Sequence, residues 1–398
     1  MMGKKKHIVI ITSWYPTSLT TSGIFVKEQA EALQKYGHKV SFFFFHYQSL
    51  LQSIRKIFKS NRNNQPLSSS CKLFFSTVVN FIPTSMWKNP QTRQKKIILR
   101  GAARRFKMYM LFNGKPDLIH HHCLSDFSYI TYYLSKRFNI SYAFTEHSNY
   151  QNLNELTHFN AYESDEEYLE FVRHASLRIA VSNFYKSIYE KIFDTSFTVI
   201  PNMVSSEFEV SRIPKTKEIN PFTFINVASI CPVKAQDILV KAFSKAFGQN
   251  QDIRLILVGQ NTSSYAKEVM QLVEKEKLTD RVKFVGLRSR TEVIRLLDQS
   301  NVFVLSSLRE TFCIALAEAM FRGLPVIVTR NGGSDDVFFP ETGFSCEPGS
   351  VDELSNAFTL IYSKYKTFQQ DYISSRTRSQ FSAAIILEKI TSHYNQMQ

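Results

Sequence analysis

Glu310 and Glu318 stand eight residues apart in Arg309-Glu-Thr-Phe-Cys-Ile-Ala-Leu-Ala-Glu-Ala-Met320, between Val302-Phe-Val-Leu305 and Gly323-Leu-Pro-Val-Ile-Val328. The first apolar segment predicts a strand ending at Ser306-Ser307, followed by a turn and a helix from near Phe312. Glu310 then lies at the helix mouth, where unpaired backbone N–H groups and a partial positive charge gather. Glu318 lies inside the helix, about two turns on at ~1.5 Å rise per residue. Two carboxylates so placed can hold one ligand at two points, a sugar at the first and a more distant part at the second. The helix N-terminus beside them suits a phosphate. Phe312, Ile314, Leu316, Ala317 and Met320 leave little of this helix for water, so a carboxylate at Glu318 needs a partner or a ligand.

Other groups carry chemistry by position. Lys234, in Val227-Ala-Ser-Ile-Cys-Pro-Val-Lys-Ala-Gln236, follows a predicted strand and offers a cation to a diphosphate. Gly23 opens a predicted helix, and a glycine there lets backbone approach a phosphate closely. His147 follows a strand in Thr145-Glu-His-Ser148. His120, His121 and His122 are consecutive on a strand, where neighbours point to opposite faces, so the three cannot hold one metal ion. No metal site is expected, and no Asp-x-Asp motif occurs.

These residues need a frame, and strands alternating with helices supply one. Strands are predicted at 8–11, 40–45, 117–120, 141–145, 177–181 and 197–200, with helices at 24–35 and 127–137. The polar stretch from Ser211 to Pro221 reads as a linker. Beyond it the alternation restarts with strands at 222–227, 254–259, 282–286, 302–305 and 325–328. The pattern predicts an α/β protein of two Rossmann-like, doubly wound domains, 1–210 and 211–375, facing a central cleft. A last helix over 376–398 is expected to pack back on the first.

At 398 residues the chain suits two domains. It has no run of eighteen apolar residues, which excludes a spanning helix. Lys4-Lys-Lys-His-Ile-Val-Ile-Ile11 is too short in its apolar part for a signal peptide and reads as a first strand. Cys71, Cys123, Cys231, Cys313 and Cys346 show no metal-binding spacing and read as reduced thiols of a cytoplasmic protein. The net charge of +15 is uneven: no acidic residue occurs between Glu31 and Asp117. Basic residues there, from Arg55, Lys56, Lys59 and Arg62 to Arg104, Arg105 and Lys107, alternate with Phe58, Phe74, Phe75, Trp87, Met108 and Tyr109. That pattern predicts peripheral docking on the anionic face of the cytoplasmic membrane. No nucleic-acid-binding signature accompanies it.

The Glu-x7-Glu spacing, with Phe312 two residues after the first Glu and Glu318-Ala-Met at the second, resembles the motif of retaining GT-B glycosyltransferases, family 4. The resemblance runs from Ile8 to about Leu360. It implies a GT-B fold and a retaining, metal-independent transferase that moves a sugar from a nucleotide-sugar to a glycan or lipid-linked acceptor in cell-surface polysaccharide assembly. It needs no cofactor. By position it gives Glu310, Lys234 and His147 catalytic roles. Donor contacts fall to Gly23, Lys234, Gly286, Leu287, Glu310, Phe312, Cys313, Ile314 and Glu318, partly through backbone N–H groups. Gly332-Gly333 and Ile200-Pro-Asn-Met-Val204 resemble further family turns. The chain departs from the pattern at Ser229, where an arginine is usual, and at Ala235, Cys313 and Met203, where glycine is usual. A second cation for the diphosphate then falls to Arg288 or to a residue of the first half. The alternatives are a nucleotide-sugar epimerase on the same fold and a catalytically silent, polybasic membrane-binding module.

Overall fold

The computed structural model describes residues 5–17, 20–49, 68–80, 90–125, 127–150, 165–209, 220–248 and 250–397. The chain divides into one unit of Met1–Val181, Tyr185–Ile200 and Leu387–Gln398 and another of Ser182–Phe184 and Pro201–Ile386. The expected linker lies, up to 219, outside the described residues, and the change of unit falls earlier, at Pro201.

The first unit is built on β1 (His7–Thr12), α1 (Ile24–Lys35), β2 (Lys39–Ser49), β3 (Lys72–Asn80), α2 (Pro90–Asn113), β4 (Leu118–His122), α3 (Ser128–Phe138), β5 (Ser141–Glu146), α4 (Asp165–His174), β6 (Leu177–Ala180), α5 (Asn183–Phe193) and β7 (Thr198–Val199). Its seven strands are parallel, in the order β3-β2-β1-β4-β5-β6-β7. Every residue of β1 is buried, as a central parallel strand covered on both faces requires. The strand order reverses between β1 and β4, so the loops leaving these two strands diverge at the sheet's C-terminal edge. Those loops lead to Gly23 and follow the histidines of β4.

Four elements of this unit carry no expectation from the sequence, β3, α2, α4 and α5, and the first two lie in the acid-free stretch. Ile98, Ala102, Phe106 and Tyr109 form the inner face of α2, with Phe106 edge-on to Phe43 at 5.4 Å. Tyr109 is therefore a core residue, its hydroxyl 2.7 Å from His7 Nε2, and does not belong to an exposed basic-aromatic face. Phe74 packs on the same cluster. Arg55, Lys56, Phe58, Lys59, Arg62 and Trp87 lie outside the described residues.

The second unit comprises β8 (Phe222–Val227), α6 (Gln236–Phe247), β9 (Ile253–Val258), α7 (Ser264–Lys275), β10 (Val282–Gly286), α8 (Arg290–Asp298), β11 (Val302–Leu305), α9 (Ile314–Phe321), β12 (Val326–Thr329), β13 (Gly343–Cys346), α10 (Val351–Lys364) and α11 (Gln370–Phe381). Its six parallel strands run β10-β9-β8-β11-β12-β13. Here the reversal falls between β8 and β11. The loop after β8 carries Lys234 and the loop after β11 carries Glu310, so both leave the sheet at its switch point.

The single helix expected over 376–398 is two, α11 and α12 (Ala383–Gln396). Ser382 between them is extended (φ −62, ψ 152) and bridges to Val204, whose N–H donates to the Phe381 carbonyl at 2.9 Å. From Leu387 the chain belongs to the first unit, where Tyr394 Oη meets His120 Nδ1 at 2.7 Å and Thr391 Oγ1 meets His38 Nε2 at 3.2 Å.

Candidate functional site

The loop between β8 and α6 turns through Ala235, whose backbone is left-handed (φ 49, ψ 45). Ser306 Oγ donates to the Lys234 carbonyl at 2.8 Å and Gln236 Nε2 to the Ser229 carbonyl at 3.1 Å, which hold that turn. Gly259, at the end of β9, presses on the same loop: a Cβ there would lie 1.9 Å from the Ala228 carbonyl oxygen. The consequence is a fixed aim for Lys234. Its Nζ donates to Glu310 Oε1 at 2.6 Å, and Ser307 Oγ donates to the same oxygen at 2.6 Å. Burial alone would pull the amine's pKa down, but the Glu310 carboxylate outweighs it and leaves Lys234 raised and charged.

Glu310 is 8% exposed and belongs to the loop, as the sequence predicts, with α9 starting two residues later than expected. The left-handed Cys313 (φ 66, ψ 75) occupies the N-cap and provides no side-chain cap, so the first N–H groups of α9, from Ile314, face outward from the helix end. Phe312 is core, edge-on to Phe381 at 5.4 Å, so what it can present to a ligand is its backbone. Burial and the Glu310 charge push the Cys313 thiol well up, which keeps it protonated.

Gly333 explains the second glycine pair. Its N–H donates to the Glu310 carbonyl at 3.0 Å, and a Cβ on it would sit 2.1 Å from that oxygen. Gly332-Gly333 is a backbone clamp on the Glu310 loop. Gly286 ends β10 at φ 77 with open space where a Cβ would be, and Leu287 beside it is exposed. At Gly23 (φ 77) the close approach is to the chain's own Trp14 carbonyl, 2.4 Å from an added Cβ.

Glu318, 2% exposed, is not joined to the lysine pair. Arg290 Nη2 donates to its Oε1 at 2.6 Å, and the guanidinium lies 4.5 Å over the Phe208 ring. Burial raises the Glu318 pKa, and Arg290 offsets that only in part. Arg288 turns away, with Nε 3.8 Å from Glu292 and Nη1 donating to the Leu287 carbonyl. The cation opposite Glu318 was legible only indirectly: Ser289 and Glu292 form a capping box that starts α8 and so sets Arg290 in its first turn. Among the described residues, Oε2 of Glu310 and of Glu318 receives no protein donor.

In the first unit, Glu146 ends β5 fully buried and takes four donors: the N–H groups of His147, Ser148 and Leu124 at 2.7, 2.8 and 3.0 Å, and Tyr150 Oη at 2.8 Å. It fixes the segment that carries His147. His147 Nε2 lies 3.1 Å from His122 Nδ1, and its ring lies 4.6 Å from Phe25. Among the described residues, His147 Nδ1 and His122 Nε2 are buried without a hydrogen-bond partner. His120 and His122 share one face of β4, rings 4.0 Å apart, while His121 turns to Thr131 on the other. Among the described residues no three His, Cys, Asp or Glu side chains converge to hold a metal.

Two doubly wound units, the second carrying the Lys234–Glu310 and Arg290–Glu318 pairs, define a Rossmann-like architecture. Residues 22–208 match the model of Glycosyltransferase Family 4 and residues 207–378 that of Glycosyl transferases group 1. The chain belongs to the GT-B glycosyltransferases of family 4. It is 27% identical over 215 residues to N-acetyl-alpha-D-glucosaminyl L-malate synthase of Bacillus anthracis, covering 54% of this chain and 52% of that one. The chain spans about half the length of the curated relatives it matches. In fold it is similar to a glycosyltransferase of Rickettsia africae (TM-score 0.72, 17% identity, 99% of each chain). It is also similar to Anabaena HepE in complex with UDP and glucose (TM-score 0.69, 17% identity, 98% and 100%).

Two outcomes follow from this geometry. Gly333→Ala should destabilise the protein by about 1–3 kcal/mol, because the new Cβ displaces the Glu310 carbonyl; urea denaturation would read it, and an unchanged midpoint would contradict the clamp. Burial, with neighbouring imidazoles adding to it at His120, pushes His120 and His147 down to about 3, and burial does the same to His121. Their folded pKa lies below the unfolded value of ~6.5, so unfolding takes up protons and stability falls as pH drops below that value, by up to about 1.4 kcal/mol per unit for each. Chemical denaturation at successive pH values would show it, and resonances of these three imidazoles titrating near pH 6.5 in the folded protein would refute it.

Proposed function

We propose that this chain is a retaining glycosyltransferase that moves a sugar from a nucleotide-sugar donor to a glycan or lipid-linked acceptor in cell-surface polysaccharide assembly, without a divalent metal. The observation that carries the reading is the pair of paired carboxylates. Glu310 is held by Lys234 and Ser307, Glu318 by Arg290, and among the described residues each keeps an oxygen free of protein donors. A free carboxylate oxygen accepts hydroxyls, and two of them suit the sugar at Glu310 and the ribose at Glu318.

Lys234 and the uncapped end of α9 then face the diphosphate. Charge on that leaving group grows as the glycosidic C–O bond breaks, so a fixed ammonium and oriented N–H groups act most strongly in the transition state. The acceptor oxygen attacks the same face of the anomeric carbon, and its proton passes to the departing phosphate oxygen. That route needs no protein base and gives retention. Gly286 and Leu287 supply open backbone and an exposed apolar side chain for the base. His147, neutral and with Nδ1 unpartnered, suits contact with sugar or acceptor hydroxyls. The relatives support the class, since the HepE structure holds UDP and glucose. The acceptor reading fits a cytoplasmic protein attached to an anionic membrane through its first half. Among the described residues no helix is long and apolar enough to cross a membrane.

Thermal stabilisation by uridine, guanosine and adenosine diphosphate sugars, which scales as RT ln(1 + [L]/Kd), identifies the donor. With that donor, Glu318→Ala should weaken binding roughly ten- to a hundredfold, the worth of one charge-assisted hydrogen bond. Lys234→Ala should reduce turnover more than donor affinity. Near-parental kinetics in both variants would sink the assignment. Product NMR should show the donor's anomeric configuration and EDTA should leave the rate unchanged; an inverted anomer, or activity restored only by manganese, would overturn the mechanism.

A further inference from the structure

The outer face of α2 is the surface for which neither the fold nor the site has a use. Met108, Leu111 and Phe112 are 49, 68 and 81% exposed, three large apolar side chains within the last turns of one helix. They continue the row begun by Arg104, at i+4, i+7 and i+8, opposite the buried row of Ile98, Ala102, Phe106 and Tyr109. The helix is thus apolar on two faces, and among the described residues only the inner one is covered by its own unit. Cations surround the uncovered face: Arg100, Arg104, Arg105 and Lys107 are exposed on α2, and Lys115 follows it. Lys39 reaches the helix end, where its ammonium donates to the Asn113 carbonyl. Asp117, the nearest acid in the chain, is turned to the His7 N–H at 2.6 Å.

We propose that the end of α2 is a membrane-insertion tip, with Met108, Leu111 and Phe112 entering the acyl boundary of an anionic bilayer while Arg100, Arg104, Arg105 and Lys107 engage its headgroups. This rests on the membrane attachment proposed above and gives it a point of insertion. The charge decides among occupants. A second copy meeting this face would set Arg104 and Arg105 against like charges, whereas an anionic headgroup layer complements them and the ring and thioether enter a layer without polar demands. Aromatic and aliphatic residues ringed by basic ones are what an interfacial helix presents.

The full-length protein is sedimented with phosphatidylcholine vesicles, with and without phosphatidylglycerol, at increasing salt. The parent should bind the anionic vesicles and release with salt. Leu111→Ser/Phe112→Ser should bind about tenfold or more weakly with its melting temperature unchanged, since both side chains are in solvent. Arg104→Gln/Arg105→Gln should lose about fivefold for each charge removed, the equivalent of ~1 kcal/mol per basic residue. Independently, Phe112→Trp should show a blue-shifted emission increment over the background of Trp14 and Trp87 when anionic vesicles are added. Parental binding by the serine variant, or no shift from the new indole, overturns the tip while leaving salt-sensitive attachment standing. Binding by neither vesicle type overturns both, and a dimer that the serine variant dissociates assigns the face to a second copy instead.

Discussion

A carboxylate removed from water must be met by donors or by a cation, and three of them organise the functional ends of both sheets. The two units answer the demand differently. Glu146 takes four uncharged donors, the full capacity of its two oxygens, and among the described residues no counter-ion. It is saturated, so its effect is to hold the backbone that carries His147. Glu310 and Glu318 instead each face a cation across 2.6 Å, and among the described residues all protein donors fall on one oxygen. An unsaturated buried carboxylate with a cation beside it is costly to maintain without a ligand. Burial raises the Glu318 pKa in spite of Arg290, the direction that such a cost produces. The same incompleteness that weakens the unit is what equips it to bind hydroxyls.

The loops that present these groups depend on backbone as much as on charge. Ala235 and Cys313 both sit in the left-handed region, where a Cβ costs roughly 1–2 kcal/mol, at positions that are usually glycine in the family. The turns survive the substitution because their neighbours leave little alternative. Ser306 and Gln236 pin the first, and Gly333 clamps the loop before the second at a separation that no Cβ could share. The aim of Lys234 and Glu310 is then set by packing of main chain on main chain, which tolerates little drift.

Much of this was legible because strands and their turns write short, strong signals. The helix at 24–35 and the strands at 222–227, 282–286 and 302–305 coincide with their predicted bounds, since the strands are apolar runs cut off by turn residues and the amphipathic helix lies between Gly23 and Gly37. The burial of Glu318 followed from its apolar flanks. What escaped were relations between distant segments: Arg290 with Glu318, His122 with His147, and Glu146 with Leu124. α2 escaped for another reason. Its inner face uses Ala102 and Ala103 where larger apolar residues would mark the period, and its outer face mixes arginine with leucine and phenylalanine. A helix apolar on two sides has no clean amphipathic signature. Basic-aromatic interleaving drew attention to the region, yet it assigned Tyr109 to the surface and passed over Leu111 and Phe112.

The distribution of charge separates two kinds of electrostatics in one chain. Lys234 and Arg290 are each neutralised at contact distance, so they act over the length of a hydrogen bond and depend little on salt. On α2, Lys95 pairs with Glu167, but among the described residues Lys96, Arg100, Arg104, Arg105 and Lys107 have no ion pair. Unmatched cations on an exposed helix produce a field that extends about a Debye length, ~8 Å in physiological salt, and that field is attractive to any anionic surface before contact is made. The net charge of +15 is therefore a property of the surface more than of the site. Contact pairing selects a ligand by geometry, whereas an unpaired field selects a surface by sign, and the chain keeps the two in different places.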